Sequence, residues 1–410
     1  MSSDLLITGA TLIDPHGALQ GQAQNQADIA IRHGVIAHGD HHDLPVLNAK
    51  GLMLAPGLID IGSFSIDLKA MTAGGITAAA LMPDQSPPLD NAALVQHAAT
   101  AGKPAVWIHP IAAASTGLAG QDLAELGLMK EAGAIAVATG RQWIADSGLM
   151  LRIMRYAAAL DLPVILHAED AALVGGAVAT AGPVATWLGL SGAPAMAESL
   201  AIARDLMLAE ESGAHIHFRQ VTTARGFDLI RAAKQRGLRV TCGITPAHLL
   251  LSESAIGAFL TFTRLSPPLR SEADRLAAIE AVRDGTLDLI CSGHDPHGPE
   301  AKRLPFAEAQ PGMAGAATLL ALSLNLVRDG VVTLPRLMQL LSSTPAKLFG
   351  LAGGSLHAGA PGDLVLFDPD APWQIDGDIL PGKAGNTPFD GLPVQGKVRH
   401  VVKGGRIVHS

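Results

Sequence analysis

Aromatic side chains make up only 3% of this 410-residue chain, and cysteine occurs twice, at Cys242 and Cys291. Two cysteines in separate apolar stretches build neither a disulfide framework nor the paired spacing of a zinc knuckle, and a reducing cytoplasm suits such a chain. Long single-sign charge blocks are missing too. The formal charge of -8 is dispersed, so no electrostatic footprint for nucleic acid or an anionic membrane is expected. No run of about 18 apolar residues escapes interruption by Gly or polar residues, and the opening MSSDLLITGATLIDP has no basic region leading an apolar segment. Neither secretion nor membrane spanning is expected. What is abundant is small and apolar: hydrophobic residues reach 48% with Gly at 45 positions, enough for a sizeable core and a second, smaller unit. Close helix-on-strand packing would use such residues, although a compositional bias of the genome gives the same pattern.

Short strands with Gly, Pro, Asn and His turns are expected at 5–13, 28–36 and 51–55, and the same texture returns at 363–367, 396–402 and 406–409. Two β ends around an α/β middle predict one composite β domain. In the middle, apolar runs at 58–64, 77–82, 105–111, 134–139, 164–167, 215–221, 239–244 and 287–291 alternate with helix-period segments, which predicts a (β/α)8 barrel. The expected division is 1–55 and 351–410 for the two parts of a β-sandwich and 56–350 for the barrel. A helix over 196–212 is expected to bury Leu200, Ala203, Leu206 and Met207, and another at 334–341 to start from the N-cap Thr333. Too few residues separate 64 from 77 for a full barrel helix, so the first helix should be shortened and leave part of the barrel wall or mouth open.

Five strings occur in order: AGGITAAALMPDQSPPLDN, HAED at 167–170, SPPLR at 266–270, GHDPH at 293–297 and NTPF at 386–389. Together they resemble the dihydroorotases of the amidohydrolase superfamily, from about Leu5 to the C-terminus. The resemblance implies a zinc-bearing barrel beside a β-sandwich, opening or closing a cyclic amide with metal-bound hydroxide. Such chemistry needs several neutral histidines or ionised carboxylates and a carboxylate proton shuttle.

The implied ligand positions are largely vacated. Where the family carries His-x-His on the first strand, this chain has Gly62 and Phe64, and Ile66 replaces the carboxylate-gripping Arg. Gly140 takes the place of the bridging carboxylate of the fourth strand, and its neighbour Arg141 would repel cations. His167 is the one surviving metal position; Gln220 replaces the histidine of the sixth strand, and an amide is a poor zinc ligand. Gly293 replaces the Asp that serves as ligand and base. Substrate positions are mixed: His297 matches, whereas Asp84 and Ser266 stand where the family has Asn.

A lone His167 is more often a hydrogen-bonded core histidine, with Glu169 and Asp170 capping the next helix or facing solvent. His215 and His217 are placed at the wrong end of their strand, and His109 at the end of the third strand would more often bond a loop. Ser63, Ser65 and Ser292 lack a nucleophile elbow, and the two cysteines lack a base.

The expectation is therefore a chain with no intrinsic activity and no cofactor, similar to dihydroorotase homologues that act as structural partners of aspartate carbamoyltransferase in a cytoplasmic homo- or hetero-oligomer. The HFRQVTTARG string at 217–226 has the look of that subgroup. Two alternatives stay open. One is an active cyclic amidohydrolase with a rearranged single zinc at His167, His294, Asp295 and His297. The other is a metal-free sensor using Asp84, Arg141 and His297.

Overall fold

The computed structural model describes residues 4–16, 28–37 and 43–410. Eight parallel strands form its centre: β1 (Leu58–Ser63), β2 (Ile76–Leu81), β3 (Trp107–Ala113), β4 (Ala136–Ala138), β5 (Val164–Leu166), β6 (Ile216–Phe218), β7 (Val240–Ile244) and β8 (Leu289–Ile290). They pair in sequence order from β1 to β8. The seam between first and last strands is closed by polar contacts: the Ser292 backbone N–H and hydroxyl donate to Asp60 at 2.7 and 2.6 Å, and the Phe64 N–H donates to the His294 carbonyl at 2.9 Å. Nearly every residue of these strands is buried, as expected of a sheet wrapped by helices and filled inside by side chains. This is the expected (β/α)8 barrel.

Residues from both ends of the chain build the flanking β structure. Strands at 35–37, 29–32, 5–8 and 46–48 make one sheet, and 406–409, 393–403, 364–374, 53–56 and 11–12 make the other. Ile7, Ile31, Leu54, Leu364, Leu366 and Val402 share one apolar core between them, the arrangement of two sheets packed face to face. The strand at 46–48 was not expected from sequence. The two C-terminal strands begin earlier or run longer than the pattern implied, because a bulge carries the pairing past Pro369 and Pro372.

The helix Met196–Ser212 has the predicted bounds but a different buried face. Ala197, Ala201, Ile202, Leu206 and Ala209 pack inward, while Leu200 and Met207 are 45% and 63% exposed. Both stripes have a helical period, and the one rich in alanine won because it lets the helix axis approach the barrel. At 334–338 Thr333 caps the helix as expected, accepting from the Arg336 N–H, but a π turn over 339–343 follows.

The first barrel helix, Leu68–Ala73, is only six residues long. The gap expected beside it is largely filled. Gly74 lies so close to the 316–323 segment that an added Cβ would sit 1.9 Å from the Ala316 carbonyl oxygen, and the strand 393–403 packs on the same wall. An apolar cavity of about 180 Å3 persists between Ala73, Leu320, Trp373 and Val398.

Candidate functional site: the mouth of the barrel

Strand ends carry the side chains that a TIM-type barrel uses for chemistry. Phe64 follows β1, Gly140 and Arg141 follow β4, His167 and Glu169 follow β5, Arg219 and Gln220 follow β6, and Gly293 to Asp295 follow β8. The structure thus gathers the implied positions on one face.

Three of the vacated positions are fixed by backbone geometry. Gly62, Gly140 and Gly293 have φ of +93°, +76° and +60°, a region where side-chain-bearing residues are strained. A Cβ at Gly140 would lie 2.8 Å from an Asp84 carboxylate oxygen, and one at Gly293 would meet Thr245 at 2.7 Å. Replacing these glycines by Lys, His or Asp therefore demands a different backbone as well as a different side chain.

A cation occupies the middle. The Arg219 side chain, 4% exposed, passes 3.4 Å from the position a Gly62 Cβ would take. Its guanidinium donates to Gln220 Oε1 at 2.9 Å, lies 3.4 Å from His167 Nδ1, and faces the Phe64 ring at 5.0 Å. Arg141 stacks on the same ring at 3.7 Å and pairs with Asp295 at 2.7 Å. Its backbone N–H donates to Asp84 Oδ1 at 2.9 Å, leaving Asp84 Oδ2 buried without a partner. Burial pushes the Asp84 pKa up against the nearby guanidinium charges. Burial also opposes ionisation of Asp295, but hydrogen bonds from His297 and Arg141 outweigh it and the pKa falls.

His167 is tied into a buried network. Its Nε2 lies 3.3 Å from Glu169, which meets Arg270 at 2.8 Å. Arg270 also reaches Glu198 at 3.5 Å and donates to the Thr222 hydroxyl at 2.9 Å. Thr222 and Thr223 in turn give backbone N–H and hydroxyl donors to Glu198. Burial raises the pKa of Glu169, yet the His167 and Arg270 contacts prevail and hold it at about 2. Glu169 therefore neither caps a helix nor faces solvent, contrary to expectation. Asp170 does cap, accepting from the Ala172 and Leu173 N–H groups at 3.0 Å.

The rearranged zinc site does not assemble. His294 is fully buried, with Nδ1 accepting from the Ala316 N–H and Nε2 facing Asp67 at 3.7 Å. Asp295 is engaged by Arg141, and His297 Nε2 contacts the Pro311 carbonyl at 3.1 Å. Among the described residues no group of three or more His, Cys, Asp or Glu side chains is placed to hold a metal ion. The residues at the implied positions do not fit zinc, because one imidazole remains and a guanidinium fills the space between them. The polar trio of the sensor alternative does come together: Arg141 lies between Asp84 and Asp295, and His297 Nε2 is 3.4 Å from Asp295 as well as 3.1 Å from the Pro311 carbonyl.

His109 must be reassigned. The third strand runs to Ala113, so His109 sits near its start, where burial and the neighbouring Lys403 and Lys103 charges pull its pKa down to about 4. His217 is a core residue bonded to Thr241 at 2.9 Å. Ser292 is spent on Asp60, and burial pushes the Cys291 thiol up to about 12, so neither is a poised nucleophile. Ser266 lines what is left of the pocket with Phe64, Arg141, Arg219, Gln220 and His248. That cavity measures about 20 Å3, room for one water.

Sequence reasoning assigned no role to Arg219, Arg270 or Glu198. A signal existed for the first: Arg219 is a cation inside the strand-end string FRQ, directly before a vacated ligand position.

A model of the amidohydrolase family matches residues 62–408, and the chain belongs to that family. Within it the chain is dihydroorotase-like. It is 37% identical to a dihydroorotase of Citrifermentans bemidjiense over 99% of this chain and 100% of that protein. A Syntrophus aciditrophicus dihydroorotase is 38% identical with 99% of each covered. A Pseudomonas aeruginosa protein named dihydroorotase-like protein is 37% identical, covering 98% of this chain and 99% of its own. In fold, the L-hydantoinase of Arthrobacter aurescens superposes with a TM-score of 0.87 at 24% identity, over 100% of this chain and 96% of that one.

Proposed function

We propose that this chain is a non-hydrolytic dihydroorotase homologue that serves pyrimidine biosynthesis in the cytoplasm as a structural partner of aspartate carbamoyltransferase. The observation that carries the reading is the Arg219 guanidinium amid Gly62, Phe64, His167 and Gln220. Hydrolysis of a cyclic amide at neutral pH needs an activated water and a base, and neither the donor set nor the 20 Å3 cavity supports one. Near full-length similarity to proteins named dihydroorotase favours the pyrimidine setting. Exposed Met196, Leu200 and Met207, at helical spacing on one face of the 196–212 helix, favour a role in association.

Co-expression with the aspartate carbamoyltransferase of the same organism tests the proposal. The two chains are expected to co-elute in size-exclusion chromatography and to change the transferase's activity or heat resistance. Two separate species with unchanged transferase activity would refute the partnership. The second reading, an active cyclic amidohydrolase, draws on the names of the relatives and on His167. It requires turnover of dihydroorotate or hydantoin that chelators abolish.

A further inference from the structure

A buried charge needs a partner, and Arg219 has no carboxylate one. Its hydrogen bonds go to a neutral amide and toward an imidazole, and its Nε has no partner at all. Buried guanidinium groups are costly when so poorly compensated, which calls for a reason for this one to be here. Its neighbours supply it. Four implied ligand positions, on β1, β5 and β6, all lie against this one side chain.

We infer that Arg219 is a resident cation standing where a metal ion would stand, and that it bars divalent metals from the barrel mouth. The inference rests on the non-hydrolytic reading above and goes further, because it assigns the exclusion to one residue. Two physical effects combine. The side chain fills the space between β1, β5 and β6, and its fixed charge repels a dication at contact distance, where the dry surroundings screen poorly. Guanidinium suits the position because it is planar, weakly hydrated and permanently charged. Phe64 offers its ring to both Arg141, at 3.7 Å, and Arg219, at 5.0 Å, a role no imidazole ligand could share with zinc. Asp84 and Asp295 supply the long-range negative charge that favours a cation here.

The positions that lack positive φ can be refilled. F64H and Q220H, together with His167, bring three imidazoles to the mouth without touching Gly62, Gly140 or Gly293. Zinc content after dialysis, and the absorption spectrum after loading with cobalt(II), are then compared for the wild type, F64H/Q220H and F64H/Q220H/R219A. R219S serves in place of R219A should the alanine variant fail to fold, and F64H/Q220H/R219K keeps the charge without the planar fork. The expected result is about one zinc per chain with a tetrahedral cobalt spectrum only when residue 219 is uncharged. Equal uptake with and without Arg219, or no uptake in either, would overturn the inference. Zinc retained by the wild type would instead overturn the functional reading on which it rests, so the two failures are distinguishable.

Discussion

The barrel mouth has two halves that have fared differently. On the ends of β1, β4, β6 and β8, the positions implied for metal chemistry hold three glycines in left-handed backbone, a phenylalanine and a glutamine. On the side of β5 and the loops after β6 and β7, the family-like strings keep charged members that are held in bonds: His167 to Glu169, Glu169 to Arg270, Arg270 to Thr222 and Glu198. Asn386 of the NTPF string likewise accepts from the His297 N–H and donates to the Gly312 carbonyl. The contrast teaches that the charges of a motif can be engaged in holding the fold together. His167, as a surviving ligand position, belongs to the second half by its bonding.

The comparison breaks most visibly at Arg270. R270M removes the cation between two buried carboxylates, and stability is expected to fall by about 3–5 kcal/mol in urea unfolding, with insoluble protein as the extreme. A loss below about 1 kcal/mol would show that the network is ornamental and that the two halves do not differ.

Acid should unfold the chain in two stages. His217 and His248 are buried, and burial holds their pKa values at about 3 and about 4. An unfolded histidine titrates near 6.5, so protons favour the unfolded state below that value. Their stabilising neutrality is complete above pH 6.5 and is lost as pH falls toward 4, by about 1.4 kcal/mol per pH unit for each group. Glu169 has its pKa lowered to about 2, so its contribution is present above about pH 4.5 and is lost between there and 2. Thermal unfolding from pH 7 to 3 checks this. A melting temperature that stays flat between pH 6.5 and 4.5 would contradict the first stage.

The smallest effect distinguishes two aspartates of the vacated half. D84N keeps the acceptor for the Arg141 N–H and removes a buried charge whose Oδ2 has no hydrogen bond and whose ion pair with Arg141 is long, at 4.0 Å, so stability is expected to stay level or rise. D295N removes the charge that faces Arg141, which is 39% exposed, and is expected to cost within roughly 1 kcal/mol. A larger loss from D84N than from D295N, read by denaturant midpoints, would mean that Asp84 still performs work in the mouth.

The barrel was legible because eight apolar runs of strand length alternate with helical periods, and every one proved to be a strand. Strand ends were less legible: placing the third strand two residues early put His109 at the wrong end of the barrel. The phase of the helix 196–212 was ambiguous because two stripes are apolar, and sequence does not say which one the alanines bring against the barrel. Gly62, Phe64, Gly140, Gln220 and Gly293 could be read from residue type alone as departures from the ligand set that the resemblance implies. Arg219 could not be placed, since its reach toward β1 depends on barrel curvature that no local pattern encodes. Glu169 was misread for the same reason, its partner Arg270 lying 101 residues away.

The account turns on whether this mouth can hold a metal, and metal analysis of the wild-type protein after growth in zinc-supplemented medium and dialysis asks that directly. The account predicts far less than one zinc per chain and a melting temperature indifferent to chelator. A stoichiometric zinc that survives dialysis and whose removal lowers the melting temperature would contradict it.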